Sequence, residues 1–291
     1  MLLEKELQLA RLTAIKAGKE ILEHYAREIV AEEKLGADNF SEPVTIADRH
    51  ASRIIVDQLS AAFPDDAILS EEEIDDSAGR LLKKRVWVID PIDGTAGFIK
   101  KDGDFSVHIG LADGGDALAG VVFMPFHNVL YYASKGGGAF AVHGENEPVR
   151  LAVSDKTDFG TMNLALTRNH YSEKMAKIIA AFQFASQVRR GSVGLKIGLI
   201  AEQACDIYIH PSPRTKIWDS CAPQIILEEA GGKLTDLFGS PMRYDIADVQ
   251  NHNGILATNG VSHENAVEHL RPVLKALGRH QKTDRKKGPG V

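Results

Sequence analysis

The chain has 291 residues, long for one domain and sufficient for two subdomains that share a cleft. Hydrophobic residues make up 44% and charged residues 25%, with a formal net charge of −6, which fits a globular protein with a substantial core and no overall attraction to a nucleic-acid polymer. No apolar run reaches the roughly 18–20 residues that would cross a bilayer; the charged first turns argue against a secretory signal, and Cys205 and Cys221, with no Cys-x-x-Cys spacing, argue against a disulfide framework, so a cytoplasmic location is expected.

Leu3, Leu7, Ala10, Ala14, Ala17 and Ile21 form one stripe at helical spacing and predict an amphipathic helix over 3–28. Gly36 to Pro43 reads as a loop. A second helix follows Asp48, with Ala51, Ile54, Ile55 and Leu59 on one face, and ends before Phe63-Pro64. Short β-type runs then dominate: Ala67–Leu69, Val86–Ile89, Phe105–Leu111, Leu118–Phe126, Val129–Ala133 and Ala139–Val142, several of them 8–12 residues apart, as in consecutive antiparallel strands. The second half is mixed. Strands are predicted at Leu164–Leu166, Asp206–Ile209 and Ile255–Ala257. Helices are predicted at Ser172–Phe182, Leu195–Glu202, Asp219–Ala230 (capped by Gly231) and Glu264–Leu277. The expected architecture is α/β (α+β), alternating layers of helix and sheet: an N-terminal part over 1–150, a mixed α/β part over 151–277, and a basic, disordered tail over 278–291.

Acidic residues recur where apolar runs stop. In Trp87–Phe98 (WVIDPIDGTAGF) a strand ends at Asp90, and Asp93, Gly94 and Thr95 continue the turn. Buried carboxylates this close repel unless a cation lies between them, and Asp90, Asp93 and the Ile92 carbonyl form an oxygen set suited to Mg²⁺. A turn with an Asx cap on a helix starting near Thr95 accounts for the same residues. Glu71 and Glu72 follow Ala67–Leu69, whereas Glu73, Asp75 and Asp76 read as a solvated loop. Asp219 after Trp218 and Asp48 after Thr45 each read as an N-cap or a ligand-bearing position. His108 and His210 read as packed or exposed strand histidines.

Together, SEEE at 70–73, DPIDGT at 90–95 and WDSCAPQIILEEAGG at 218–232 resemble the lithium-sensitive, magnesium-dependent phosphatases: inositol monophosphatases, fructose-1,6-bisphosphatases and bisphosphate nucleotidases. The resemblance covers residues 1 to about 275 and implies that superfamily's layered fold. Within it, DGTAGFIKKDGDFSVHIGL, ADNFSEPVTIAD, ILSEEE and GSVGLK at 191–196 are more similar to the 3'(2'),5'-bisphosphate nucleotidases. Gly194 is an insertion relative to their Ser-x-Leu-Lys segment, so Lys196 carries over better than Ser192. Pro223 departs from the commoner Trp-Asp-x-Ala-Gly form and is expected in the first turn of its helix, where proline is tolerated.

The resemblance implies that Glu71, Asp90, Asp93, Asp219 and the Ile92 carbonyl hold two or three Mg²⁺ ions, without a His or Cys ligand. It implies hydrolysis by metal-activated water. Thr95, bonded to Asp48, takes or orients the proton, and Glu72 supports from behind. Gly94 and Thr95 offer backbone N–H groups to phosphate, and Ser192, Lys196, Arg214 and Asp219 complete the substrate side. The expected substrate is a small phosphorylated molecule, adenosine 3',5'-bisphosphate or its sulfated relative first. Inositol monophosphate or another sugar phosphate is the runner-up, and a non-catalytic binder of the same fold is a remote third. The assembly is expected to be a monomer or a homodimer.

Overall fold

The N-terminal apolar stripe folds as helix α1 (Glu4–Tyr25), burying Ala10, Ala14, Ala17 and Ile21. The computed structural model describes residues 3–35, 41–168 and 172–283. After α1 come strands β1 (Ala31–Leu35) and β2 (Ser41–Thr45), paired antiparallel; Ser41–Pro43, expected in a loop, are strand, and 36–40 lie outside the described residues. Helix α2 (Ile46–Ala62) starts earlier than predicted. Thr45 is its N-cap, and Asp48, three residues on, accepts from the Thr45 backbone N–H at 2.8 Å and its hydroxyl at 2.6 Å. That is half of a capping box, with the acid inside the helix rather than before it.

A seven-stranded sheet follows: β3 (Ala67–Ser70), β4 (Arg85–Asp93), β5 (Ser106–Asp113), β6 (Asp116–Met124), β7 (Val129–Ser134), β8 (Gly138–His143) and β9 (Val149–Arg150), in chain order, antiparallel except for β3 beside β4. Helix α3 (Ser77–Leu81) and helix α4 (Thr95–Lys100) lie in its connections. The acidic loop before β4 is more structured than expected: Asp76 caps α3, and Asp75 pairs with buried Arg80 at 2.8 Å. Strand β4 is apolar on both sides because both faces are covered. Trp87 and Ile89 join the core under α1 and α2, while Val86 and Val88 join the core on the opposite face.

The second half contributes β10 (Asn163–Thr167), α5 (Glu173–Phe182), β11 (Ser186–Arg190), α6 (Val193–Ala201), β12 (Ile207–His210), α7 (Ile217–Glu229), β13 (Lys233–Thr235), β14 (Ile255–Thr258) and α8 (His263–Ala276). Its five strands run in the order β11-β10-β12-β14-β13. Leu164, Leu166, Ile207 and Leu256 pack with α5 and α8, while Ala165, Tyr208, Ile255 and Ala257 share a core with α6 and α7. Helices α6 and α7 therefore lie between the two sheets, and the layers alternate helix, sheet, helix, sheet, helix. Gly110 and Gly120 let α7 approach the large sheet: a Cβ on Gly110 would fall 2.6 Å from Cys221 Sγ, and one on Gly120 2.6 Å from the Ala222 carbonyl.

Because α7 begins at Ile217, Pro223 is its seventh residue rather than part of the first turn. A proline has no N–H, so the helical bond to the Asp219 carbonyl is not made there. Of the tail expected to be disordered, Arg279 donates to the His252 carbonyl at 2.9 Å and Lys282 N–H to Asn253 Oδ1 at 2.9 Å; residues 284–291 lie outside the described residues.

Candidate active site

Asp90 and Asp93 are three apart, so regular alternation would send them to opposite faces of the sheet. A bulge prevents this. Asp90 pairs with His108 and Asp93 with Ser106, so β4 spends two residues, Pro91 and Ile92, where β5 spends one. His108 and Ser106 are two apart and share a face, which brings both aspartates to the side covered by α6 and α7. Asp219, in the first turn of α7, meets them there. Carboxylate oxygens of Asp90, Asp93 and Asp219 all lie within 4.8 Å of one another.

Glu71 directly follows β3, whose parallel register with β4 sets it beside Asp90. Asp90 is 1% exposed, and its carboxyl is pushed well above the usual range by burial first, then by the charges of Glu71, Asp93 and Asp219. Asp219 rises for the same leading reason, then through Asp93. Like charges packed into low dielectric must take up protons or a cation. The donors are oxygens of carboxylates, with the Ile92 carbonyl nearby, so the cluster fits a hard divalent ion.

The partners of each carboxylate differ. Asp93 Oδ2 accepts from the Ser192 hydroxyl at 2.5 Å and from the backbone N–H groups of Val193 and Gly194 at the start of α6. Ser192, expected at the substrate, is 1% exposed; its oxygen also accepts from Leu195 N–H and meets Ser106 Oγ at 2.6 Å. Its contacts thus put it behind Asp93, holding one oxygen in place. Ser106 in turn meets His108 Nε2 at 2.9 Å, and that nitrogen lies 3.2 Å from Asp93. Burial lowers the His108 pKa, against the pull of the Asp93 charge.

Thr95 opens α4 after Gly94, whose φ of +97° is the left-handed conformation glycine adopts freely; a Cβ there would meet the Asp104 carbonyl at 2.6 Å. The Thr95 hydroxyl lies 3.2 Å from Asp48 Oδ1 and 3.1 Å from the Ile92 carbonyl, so its single proton is shared between them. Asp48, 2% exposed, is pushed up to about 6, chiefly by burial and against the pull of its Thr45 hydrogen bonds. Lys34 on β1 bonds Glu71 at 2.9 Å and also Glu72. Glu72 is pushed up to about 7 by burial and the Glu71 charge.

Glu71, Asp90, Ile92, Asp93, Gly94, Thr95 and Asp219 line a cleft of about 750 Å³. Tyr208, Lys174, Lys196, Arg214 and Lys216 line it too. Lys196 is 1% exposed, donates to the Gly191 carbonyl and lies 5.0 Å from the Tyr208 ring; burial lowers it to about 8. Arg214 is exposed at the cleft wall.

Sequence reasoning missed the cleft-lining Lys174, Tyr208 and Lys216, and also Ser106, His108 and Lys34. Ser106 and His108 carried a signal, two polar residues two apart on an otherwise apolar strand. Lys34 carried none, since a lysine in AEEKL looks like ordinary surface charge.

A buried acidic cluster beside a shared hydroxyl proton, in a cleft that also holds lysines and an arginine, is the layout of a metal-dependent phosphoryl-transfer or hydrolysis site. The chain belongs to the inositol monophosphatase family, whose profile matches residues 2–275, and is thus a member of a family of magnesium-dependent phosphatases. It is 32% identical over 265 residues to a fructose-1,6-bisphosphatase/inositol-1-monophosphatase of Thermotoga maritima, covering 90% of this chain and 94% of that protein. It is 34% identical over 236 residues to the 3'(2'),5'-bisphosphate nucleotidase CysQ of Aggregatibacter actinomycetemcomitans, covering 80% and 84%. The solved CysQ of Bacteroides thetaiotaomicron superposes with a TM-score of 0.74 at 30% identity, over 88% of this chain and 98% of that one.

Proposed function

We propose that this protein is a Mg²⁺-dependent phosphomonoesterase that removes the 3'-phosphate of adenosine 3',5'-bisphosphate. The observation that carries the reading is the mixed charge of the cleft: the carboxylates Glu71, Asp90, Asp93 and Asp219 and the cations Lys174, Lys196, Arg214 and Lys216 are all among its lining residues. One phosphate neutralised at the acidic centre leaves the cationic residues for a second, and a bisphosphate has one to offer.

Glu71, Asp90, Asp93, Asp219 and the Ile92 carbonyl would hold Mg²⁺, which when bound supplies charge neutralisation at phosphate and activation of water. Asp48 accepts at Thr95 Oγ1 and keeps that oxygen turned towards the centre, so the pair receives or orients the proton released on attack. Ser192 and the first N–H groups of α6 hold Asp93, fixing the ligand rather than touching substrate. Gly94, whose left-handed φ makes the turn into α4, lines the cleft beside Thr95 and offers its backbone to a phosphate oxygen. Lys196 and Arg214 serve the second phosphate. The Thermotoga relative, named for inositol 1-phosphate and fructose 1,6-bisphosphate, supports a second reading as a sugar-phosphate phosphatase.

Phosphate release from adenosine 3',5'-bisphosphate and from inositol 1-phosphate, each with Mg²⁺ and with EDTA, tests this directly. A Mg²⁺-dependent preference for the nucleotide supports the proposal. A preference for inositol 1-phosphate keeps the metal chemistry and overturns the substrate assignment.

A further inference from the structure

A second group of potential ligands lies away from the cleft. Glu20 and His24 are one turn apart on α1, and His50 lies in the second turn of α2, which packs against it. His24 Nε2 is 3.2 Å from Glu20 Oε1 and 3.1 Å from His50 Nδ1, and His50 Nδ1 is 3.3 Å from Glu20 Oε1. Three donor atoms thus form a nearly equilateral triangle.

Hydrogen bonds cannot complete that triangle. A ring nitrogen that carries a proton has no lone pair with which to accept, so at least one of the three contacts has no hydrogen bond. A cation above the triangle accepts a lone pair from all three. The spacing fits one: bonds of about 2.0–2.1 Å in a tetrahedral zinc site put neighbouring ligand atoms about 3.3 Å apart.

We propose that Glu20, His24 and His50 form a binding site for a borderline transition-metal ion of the Zn²⁺ class, clamping the end of α1 to the start of α2. Two imidazoles and a carboxylate favour such an ion over Mg²⁺, which prefers oxygen. The side chains are 33% (Glu20), 17% (His24) and 38% (His50) exposed, so the ion is reached from solvent and its fourth position is open to water. The site is distinct from the acidic centre. Asp48, on the same helix α2, turns to Thr95, whereas His50, two residues on and about 200° round the helix, turns to α1.

The test is calorimetric titration of the full chain with Zn²⁺ in a large excess of Mg²⁺, which keeps the oxygen site filled. His24→Ala and His50→Gln are compared with the native chain, and Asp90→Asn controls for binding at the acidic centre. The native chain and Asp90→Asn are expected to bind one Zn²⁺ with a matching rise in Tm. Either histidine variant is expected to bind about tenfold or more weakly and to lose the rise. Melting without metal checks that the half-exposed variants are folded. Co²⁺ should give intense visible bands, diagnostic of tetrahedral geometry, with the native chain and not with His50→Gln. Equal Zn²⁺ affinity in native and histidine variants, or loss of binding in Asp90→Asn alone, would overturn the proposal.

Discussion

Two clusters of ionisable side chains in this molecule each bring three potential ligand atoms within 4.8 Å of one another, and they differ in charge, burial and chemistry. Asp90, Asp93 and Asp219 converge behind a sheet, two of them buried, all oxygen and all of one charge; Glu20, His24 and His50 converge between two helices, half-exposed and mixed. In the first, burial and like charge push protons onto Asp90 and Asp219, so the metal-free arrangement is under electrostatic stress. In the second, a neutral or protonated imidazole can partner the carboxylate and water can serve the remainder. Proximity alone therefore says little about cost. Burial and sign decide whether a cluster demands a cation or merely accommodates one.

The sharpest way to break this contrast is Asp93→Asn. It removes a charge and one of the proposed ligand oxygens while leaving an oxygen to accept from Ser192 and α6, so turnover with saturating Mg²⁺ should fall by more than about 100-fold with the circular dichroism unchanged. Near-native turnover would refute the ligand role. Thr95→Ala should lower kcat by about 10²–10³-fold with little change in KM, because in the proposed mechanism the hydroxyl acts on the proton rather than on substrate binding. A change in KM alone would remove it from the chemistry.

Lys196→Met keeps the buried volume and removes the cation; KM for adenosine 3',5'-bisphosphate should rise about tenfold while that for inositol 1-phosphate stays put. Equal effects on both substrates would show that Lys196 shapes the cleft rather than reading a second phosphate. The electrostatic stress itself is measurable in EDTA. Asp90→Asn relieves like-charge repulsion and should raise the Tm of the metal-free protein by about 2–6 °C, whereas Glu20→Gln should not. A drop in Tm for Asp90→Asn would mean that the cluster is not strained.

The smallest effect is on pH. Asp48 must be ionised to draw the proton from Thr95, and burial raises its pKa to about 6, so kcat should fall as pH drops through that value. Bound Mg²⁺ nearby can only move the limb lower. A pH–kcat profile of native protein and Asp48→Asn checks this: the limb should vanish in the variant along with most of the rate.

Much of this was legible along the chain. Local periodicity marked α1, α2, α5, α8 and the strands from β4 to β8, because each has one or two apolar faces whose repeat is visible within a dozen residues. Strands β1, β11 and β13 were not, since AEEKL and SQVRR are polar edge segments and KLT is three residues long. The start of α7 was also misplaced, which made Pro223 look like a first-turn residue.

The sequence by itself carried the family and the layered class of fold through motifs whose resemblance is local, and it pointed to Glu71, Asp90, Asp93 and Asp219 as candidate ligands because those acids stand at spaced breaks in apolar runs. Only the tertiary structure decided which way they point. The bulge that turns Asp93 back beside Asp90 depends on pairing with β5. Ser192 faces Asp93 rather than the cleft because α6 starts there, and Lys34 reaches Glu71 across 37 residues of chain. His24 and His50 meet because α1 lies on α2. Side-chain direction is set by register and long-range packing, and neither leaves a local trace in the order of residues.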